Sequence, residues 1–100
     1  MSDDIEASCI RKRGNNFKPH ERIEGLGGMH NGQRWYMLEE DIIAELERPA
    51  ASRRWAFYVS VGGHSTWAVV ATHEGRKYLK TQADKFSPDT LLALAQCPSR

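Results

Sequence analysis

The stretch that decides the fold is residues 53–82, RRWAFYVSVGGHSTWAVVATHEGRKYLKTQ. Apolar and polar side chains alternate with a period of two over residues 55–61 and again over residues 67–72, which is typical of β-strands. Glycine-containing interruptions at 62–63 and 74–75 favour tight turns between them. The stretch therefore predicts a three-stranded antiparallel meander. Because both faces of its first hairpin are largely apolar, we expect both to be covered at least in part.

Weaker patterns on either side complete the predicted fold. Residues 5–12 and 20–26 favour two further strands, and residues 38–47 favour an amphipathic helix that ends before Pro49. The tripeptide at 87–89 is a helix-start signal with a hydroxyl, a proline and an acid. We therefore expect an α+β fold of order β-β-α-β-β-β-α. Its sheet should be mainly antiparallel, curled, and built from four or five strands, with the helices over one face and the openings.

The length of the chain favours a single domain, and its charge balance gives no strong electrostatic field. One hundred residues suit one domain over 1–100, with disordered ends at 1–4 and 98–100. Lys plus Arg number 14 and Asp plus Glu number 13, so the formal net charge is only +1. That balance gives no general attraction to nucleic acid or an anionic membrane. No long apolar window and no leader-like start is present, so we expect a cytoplasmic protein with no membrane partner.

Cysteines and histidines give no local signal for catalysis or metal binding. Neither cysteine belongs to a C-x-x-C pair, and in a reducing cytosol both are expected to be free thiols. No two of the four histidines have the spacing of a metal site, and no nucleophile stands beside a base. We therefore predict no cofactor, no metal and no catalytic residue. A small enzyme or metal-binding protein remains an alternative. The histidines are His20, His30, His64 and His73.

A glycine-rich segment is the best candidate for binding a partner. Residues 27–34 contain three glycines and an Asn-Gly turn signal, so the backbone there should adopt positive φ values. We predict an irregular loop, and irregular loops often carry function. The expected ligand is an unknown protein partner, and the expected role is that of a small interaction module. The predicted contact residues are Gly27, Gly28, His30, Arg34 and Trp35.

Single-stranded nucleic acid is the alternative ligand. Basic clusters near aromatic strand residues can bind phosphates while the rings stack on bases. The same aromatic residues lie at positions where a hydrophobic core needs them, which favours the interpretation as a protein-interaction module. The predicted nucleic-acid contacts are Arg11, Lys12, Arg13, Arg76 and Lys77.

Several short motifs follow one another along the chain, namely Cys9-Ile10, Ile23-x-x-Leu26-Gly27-Gly28, Trp35 before an acidic helix start with Ile42 and Leu46, Tyr58-Val59, Tyr78-Leu79-x-Thr81-x-x-Asp84 and Leu91-x-x-Leu94-x-x-Cys97. In this order and spacing they resemble a small uncharacterised domain-of-unknown-function family of bacteria and archaea. The resemblance covers nearly the whole chain, although Ala95 replaces the proline that usually follows the last leucine. It implies a compact single domain and no particular activity. It also implies that Cys9 and Cys97 belong to one pattern and lie close together as a structural pair.

Overall fold

The computed structural model describes residues 3–14, 18–85 and 88–98. Within these ranges the chain forms eight strands, two α-helices and two short 3-10 turns, at Pro19–Glu21 and Ala50–Ser52. The predicted disorder of residues 1–4 does not extend to residues 3 and 4, which lie in the first strand. Residues 1–2 and 99–100 lie outside the described ranges. The elements are β1 Asp3–Glu6, β2 Cys9–Lys12, β3 Ile23–His30, β4 Gln33–Leu38, α1 Glu39–Leu46, β5 Trp55–Val61, β6 His64–His73, β7 Arg76–Thr81, α2 Asp89–Leu92 and β8 Ala95–Gln96.

The strands form two separate four-stranded mixed sheets. Sheet A has the order β1-β5-β6-β7, and sheet B has the order β4-β3-β2-β8. The meander β5-β6-β7 is antiparallel, so that prediction is confirmed. The edge pairs β1/β5 and β2/β8 are parallel. The predicted fold, a mainly antiparallel, curled sheet of four or five strands in an α+β arrangement, is therefore wrong.

The physical reason for this difference lies near the start of the chain. The single strand predicted over 5–12 divides at Ala7 and Ser8. The N–H of Ala7 donates to Tyr58 O in sheet A at 2.8 Å, whereas the N–H of Ser8 donates to Gly27 O in sheet B at 2.9 Å. The chain thus passes from one sheet to the other between two neighbouring residues. The inward side also shifts by one residue at this point, because the core residues are Ile5 and Ala7 before it and Ile10, not Cys9, after it.

One hydrophobic core is shared by both sheets and the helices. Helices α1 and α2 each contact strands of sheet A and of sheet B, so they bridge the sheets. The outer face of the first hairpin is only partly covered, and Trp67 remains 42% exposed there. Among the described residues, no helix is long and apolar enough to span a membrane. The core residues are Ile5, Ala7, Ile10, Ile23, Leu26, Ile42, Phe57, Val59, Ala68, Leu79 and Leu91.

Two acidic residues of α1 are structural rather than solvated. Glu39 is buried and accepts the N–H of Leu79 at 3.2 Å, which connects α1 to β7. Burial raises the pKa of Glu39, and the hydrogen bond from Leu79 with the nearby charges of Arg76 and Arg13 offsets part of that effect. Glu45 is also buried and binds the backbone where β5 begins. The two carboxylates thus fix the helix against sheet A.

Asp84 connects the end of β7 to α2. Its carboxylate accepts the N–H and hydroxyl of Thr81, both at 3.0 Å, and the N–H and hydroxyl of Thr90, at 3.2 and 2.8 Å. Burial alone would raise the pKa of Asp84, but these hydrogen bonds outweigh it and hold the pKa below its ordinary value. The predicted C-terminal helix is correspondingly short, because the chain leaves it to form β8 beside β2. Its predicted cap, Ser87, lies outside the described residues.

Candidate functional site

The predicted binding loop is a regular β-hairpin. Asn31 and Gly32 form its turn with φ angles of 52° and 80°. Positive φ at both central residues is typical of the type I′ turn, whose twist matches that of the flanking strands. The prediction of positive φ values is confirmed, whereas the prediction of an irregular loop is wrong. The hairpin places Met29 opposite Arg34 and Gly27 opposite Tyr36.

Two glycines of β3 leave room for side chains to lie directly on the outer face of sheet B. A Cβ atom at Gly25 would lie 2.6 Å from Cζ of Tyr36. A Cβ atom at Gly27 would lie 3.0 Å from Sγ of Cys9 and 3.2 Å from Sγ of Cys97. The contact with Tyr36 is too short for a real Cβ atom, as is the separation of 2.8 Å between a Cβ at Gly27 and the Trp35 carbonyl oxygen, whereas the two sulfurs would have to shift by a few tenths of an ångström. A tyrosine ring and two sulfur atoms therefore lie over the strand.

The two sulfur atoms form a disulfide that joins β2 to the residue after β8, the edge strand of sheet B. Cys9 and Cys97 are bonded, with Cα atoms 4.7 Å apart and a sequence separation of 88. The N–H of Cys97 also donates to Ile10 O at 2.9 Å, which continues the parallel pairing of β8 with β2. Both cysteines are thus bonded in this structure, in contrast to the free thiols expected for a reducing cytosol. The structure brings together the two residues that the family resemblance paired.

A cleft of about 220 Å³ opens between the disulfide and the β3–β4 hairpin. Two arginines flank it. The Arg11 guanidinium lies 5.7 Å from the centre of the Tyr36 ring and donates to Pro98 O at 3.4 Å. Arg34 is exposed and makes no ion pair or hydrogen bond within the described part of the chain. The cleft, which we call the arginine cleft, is lined by Ser8, Cys9, Arg11, Gly28, Met29, Arg34, Trp35, Tyr36, Cys97 and Pro98.

The lining of the arginine cleft combines apolar surface with positive charge. Met29, Tyr36 and the disulfide supply apolar surface, and two guanidiniums supply positive charge. No carboxylate and no histidine is among the described lining residues, so Ser8 has no base beside it. Nor do the described ranges contain a group of three potential metal ligands. The arrangement suits an anionic group attached to an apolar body.

Most of the predicted partner-binding residues meet at the arginine cleft. Gly28, Arg34 and Trp35 line it, and Gly27 lies beneath its disulfide. Trp35 also packs against Phe57, with ring centres 5.5 Å apart, and so contributes to the core. His30 is separate. It lines a different cavity, of about 230 Å³, beside Trp55.

The predicted nucleic-acid residues do not form one surface. Arg11 is in the arginine cleft, but Lys12 extends to Leu92 O at 3.5 Å. Arg13 and Arg76 both lie near Glu39. The ammonium of Lys77 pairs with Glu47 at 2.7 Å. These charges are therefore distributed over different parts of the molecule and do not follow a single track.

Sequence reasoning missed four lining residues, namely Ser8, Met29, Tyr36 and Pro98. The available signal was the Asn-Gly pair at 31–32, which is a strong hairpin signal when alternating residues flank it. A hairpin assignment would have placed Arg34 and Tyr36 on one face of β4, because alternate residues of a strand share a face. It would also have placed Met29 beside Arg34.

Substitution of Gly27 tests its close contact with the disulfide that lines the arginine cleft. We expect Gly27→Ala to lower the free energy of unfolding by about 1–3 kcal/mol, since its methyl group would overpack against both sulfurs and the Trp35 carbonyl. Urea unfolding measures the change. The control repeats the substitution in a Cys9→Ala/Cys97→Ala background, where part of the cost should vanish. An equal cost in both backgrounds would contradict the close contact with the disulfide.

Comparison with protein families relates this architecture to one of them. A search of curated proteins and a search of solved structures each gave no significant match. The family comparison matches residues 6–95, which include both strands of the arginine-cleft hairpin and the start of β8. The predicted resemblance to a domain-of-unknown-function family is confirmed by this match. The chain belongs to the family described as "Protein of unknown function (DUF3892)".

Proposed function

We propose that this protein is a small non-catalytic binding module that holds an acidic segment of a partner protein in the arginine cleft. The observation that carries the proposal is the presence of two guanidiniums and no carboxylate among the described lining residues. An anionic group that enters the cleft can contact both guanidiniums, and Arg34 gives up no partner within the described residues when it binds. The apolar floor lowers the local dielectric and strengthens this attraction.

The two arginines are suited to a carboxylate for different reasons. A guanidinium presents paired N–H donors that match the two oxygens of a carboxylate. Arg11 is pre-oriented, because Tyr36 lies beneath it and Pro98 O accepts one of its N–H groups. Pre-orientation lowers the entropy lost on binding. Arg34, being exposed, can move to meet the ligand.

The size and position of the cleft favour a peptide over a small molecule. Its volume of about 220 Å³ is below the roughly 300–1,000 Å³ of typical small-molecule sites, so it suits one side chain of a longer ligand. Strand β4, which carries Arg34 and Tyr36, is an edge strand of sheet B. An extended peptide can add to such an edge through main-chain hydrogen bonds while one side chain occupies a pocket.

Nucleic acid is the less favoured anion. Binding of a phosphate backbone needs several cations along a path, and affinity depends strongly on their number. Only Arg11 of the five predicted contacts lies in the cleft, while Lys77 already has a carboxylate partner. Two guanidiniums are enough for one carboxylate but provide little to follow a strand of phosphates.

The proposed setting is the bacterial cytoplasm. Disulfides are uncommon there, because cytosolic thiols are kept reduced. The redox state of Cys9 and Cys97 in cells therefore indicates which compartment contains the protein. Alkylation of intact cells should label both as free thiols if the protein resides in a reducing compartment, whereas a fully bonded pair would contradict the cytoplasmic assignment.

A displayed library of short random peptides, selected on the oxidised protein, tests the function. We expect the selected peptides to be enriched in Asp and Glu and to bind in a fluorescence anisotropy titration. Because a hydrogen bond to a charged group contributes about 1.5–3 kcal/mol, Arg34→Gln or Arg11→Gln should weaken binding at least about tenfold.

The matched control is Arg76→Gln, which makes the same charge change on β7, away from the cleft. It should leave the affinity within about twofold, since only a screened long-range attraction is lost. Selected peptides with no acidic bias, or equal losses for Arg76→Gln and Arg34→Gln, would overturn the proposal. If the peptides do not bind, but a labelled oligothymidine binds and Arg34→Gln weakens that binding, the cleft is a nucleic-acid site instead.

A further inference from the structure

The outer face of sheet A carries a second candidate site, whose charge is negative where that of the arginine cleft is positive. Across β1, β5 and β6, Glu6 is opposite Tyr58, and Tyr58 is opposite Trp67. Residues paired in this way project from the same side of a sheet. Asp4 lies two positions before Glu6 on β1 and therefore shares that side. Two carboxylates and two aromatic rings thus occupy one surface.

The rings form a corner. The centres of Tyr58 and Trp67 are 6.2 Å apart, and their planes meet at 76°. Trp67 is 42% exposed, so part of the ring surface faces solvent. A cavity of about 360 Å³ opens at this corner, with Asp4 and Ser65 also in its lining. A ligand in the corner would contact both rings while a carboxylate lies beside it.

The charge of this surface is not neutralised from within the chain. Neither Asp4 nor Glu6 has an ion pair or a side-chain hydrogen bond in the part of the chain that the structure describes. Arg54, two positions before Ala56, the partner of Asp4, pairs instead with Glu45 at 3.0 Å. Lys80 lies on the same side, since its partner Val69 is two positions from Trp67. Its ammonium donates instead to the carbonyls of Thr81 and Asp84, at 3.3 and 3.1 Å. The surface therefore remains negative.

Aromatic faces and carboxylates attract the same class of ligand. The face of an indole or phenol ring carries negative potential, and a cation placed over it is stabilised by about 0.5–1 kcal/mol at an exposed site. Methylated ammonium groups use such sites well, because their methyl groups contact the rings and their charge is weakly hydrated. A metal ion would instead need several oxygen ligands, and no group of three candidate ligands exists among the described residues.

We infer that the corner formed by Tyr58, Trp67 and Asp4 binds a methylated ammonium group, with Glu6 adding to the attraction. This site is on the opposite sheet from the arginine cleft and does not depend on the function proposed for that cleft. A free small molecule and a methylated lysine side chain both carry this group and share its chemistry.

Indole N–H signals in the NMR spectrum test the inference, because the three tryptophans give separate resonances. Choline should shift the Trp67 signal with a dissociation constant on the order of 1 mM, as expected for a few weak contacts. Its neutral isostere 3,3-dimethylbutanol should shift that signal much less. Trp35 and Trp55, which are on other surfaces, serve as internal controls. A parallel titration with N-acetyl-trimethyllysine amide identifies which source of the group is preferred.

Substitutions separate the contributions of rings and charge. Trp67→Ala should weaken choline binding about fivefold, followed through the N–H of Tyr58, and Trp67→Phe should restore part of it. Asp4→Asn should weaken binding two- to fivefold and reduce its salt dependence. Equal shifts from choline and 3,3-dimethylbutanol, or no shift of Trp67 by choline at tens of millimolar, would overturn the inference. So would an unchanged affinity in Asp4→Asn/Glu6→Gln.

Discussion

Reduction of the Cys9–Cys97 disulfide is expected to lower the free energy of unfolding by about 4–5 kcal/mol. The bond closes a loop of 88 positions, and in the chain-entropy model a loop of that length gives a stabilisation of this size. A small domain is stable by only about 5–15 kcal/mol, so the loss is a large fraction of the total. The structural consequence should be greatest at β8, which has two residues and pairs only with β2.

Urea unfolding with and without dithiothreitol measures this effect, and alkylation followed by mass spectrometry counts the thiols in each sample. A Cys9→Ala/Cys97→Ala variant is the control, because its unfolding midpoint should not respond to the reductant. If the wild-type midpoint stays the same while both thiols are shown to be free, the predicted stabilisation is refuted.

Glu45→Ala should lower the free energy of unfolding by about 3 kcal/mol. Its carboxylate accepts the N–H groups of Arg54 and Trp55 and pairs with the Arg54 guanidinium at 3.0 Å. The Glu45 side chain is only 2% exposed. Removing it leaves two backbone donors without their acceptor, and each such loss costs about 1–3 kcal/mol. The position where β5 begins should therefore become the weakest part of the meander.

Glu47→Ala on the same helix is the matched control for Glu45→Ala. Glu47 forms an ion pair with Lys77 in which the side chains are 41% and 54% exposed. Exposed pairs contribute about 0–1 kcal/mol, so this variant should be nearly as stable as the wild type. Comparable losses in the two variants would show that Glu45 acts only as a surface charge. Glu45→Gln should lie between them, because an amide keeps one acceptor oxygen.

The same contacts predict how stability depends on pH. Burial alone would raise the pKa of Glu45, but the hydrogen bonds from Arg54 and Trp55 outweigh it and hold the pKa below its ordinary value. A lowered folded-state pKa gives stability that is complete above the ordinary glutamate pKa of about 4.3 and is lost as the pH falls below it. Asp84 contributes with the same sign.

Glu39 acts in the opposite direction, since burial raises its pKa. Its ionised form costs stability above the raised pKa, and that cost disappears as the pH falls to the ordinary value. Two groups against one predict a net loss of stability below about pH 4. Thermal unfolding from pH 7 to pH 3 should show this loss, and Glu45→Gln should make it smaller. A variant as acid-sensitive as the wild type would contradict the role assigned to Glu45.

Local patterns in the sequence predicted local structure well. The meander and the positive φ angles at Asn31–Gly32 are both set by residues near one another in the chain, through alternation and turn chemistry. The helix over residues 38–47 was predicted for the same reason. The glycines of β3 misled the prediction. They indicated a loop because glycine is common in loops, whereas Gly25 and Gly27 are needed to admit Tyr36 and the disulfide onto the sheet.

The sequence by itself thus determined a three-stranded antiparallel meander, a type I′ turn and an amphipathic helix, because each depends on interactions over a few residues. Only the tertiary structure decided the division into two mixed sheets, in which β1 pairs with β5 and β2 with β8 across long stretches of chain. The arginine cleft depends on the same long-range pairings, since Arg11, Arg34 and the disulfide come from distant segments. Such pairings are set by the shared burial of both sheets in one core, and no local pattern carries that information.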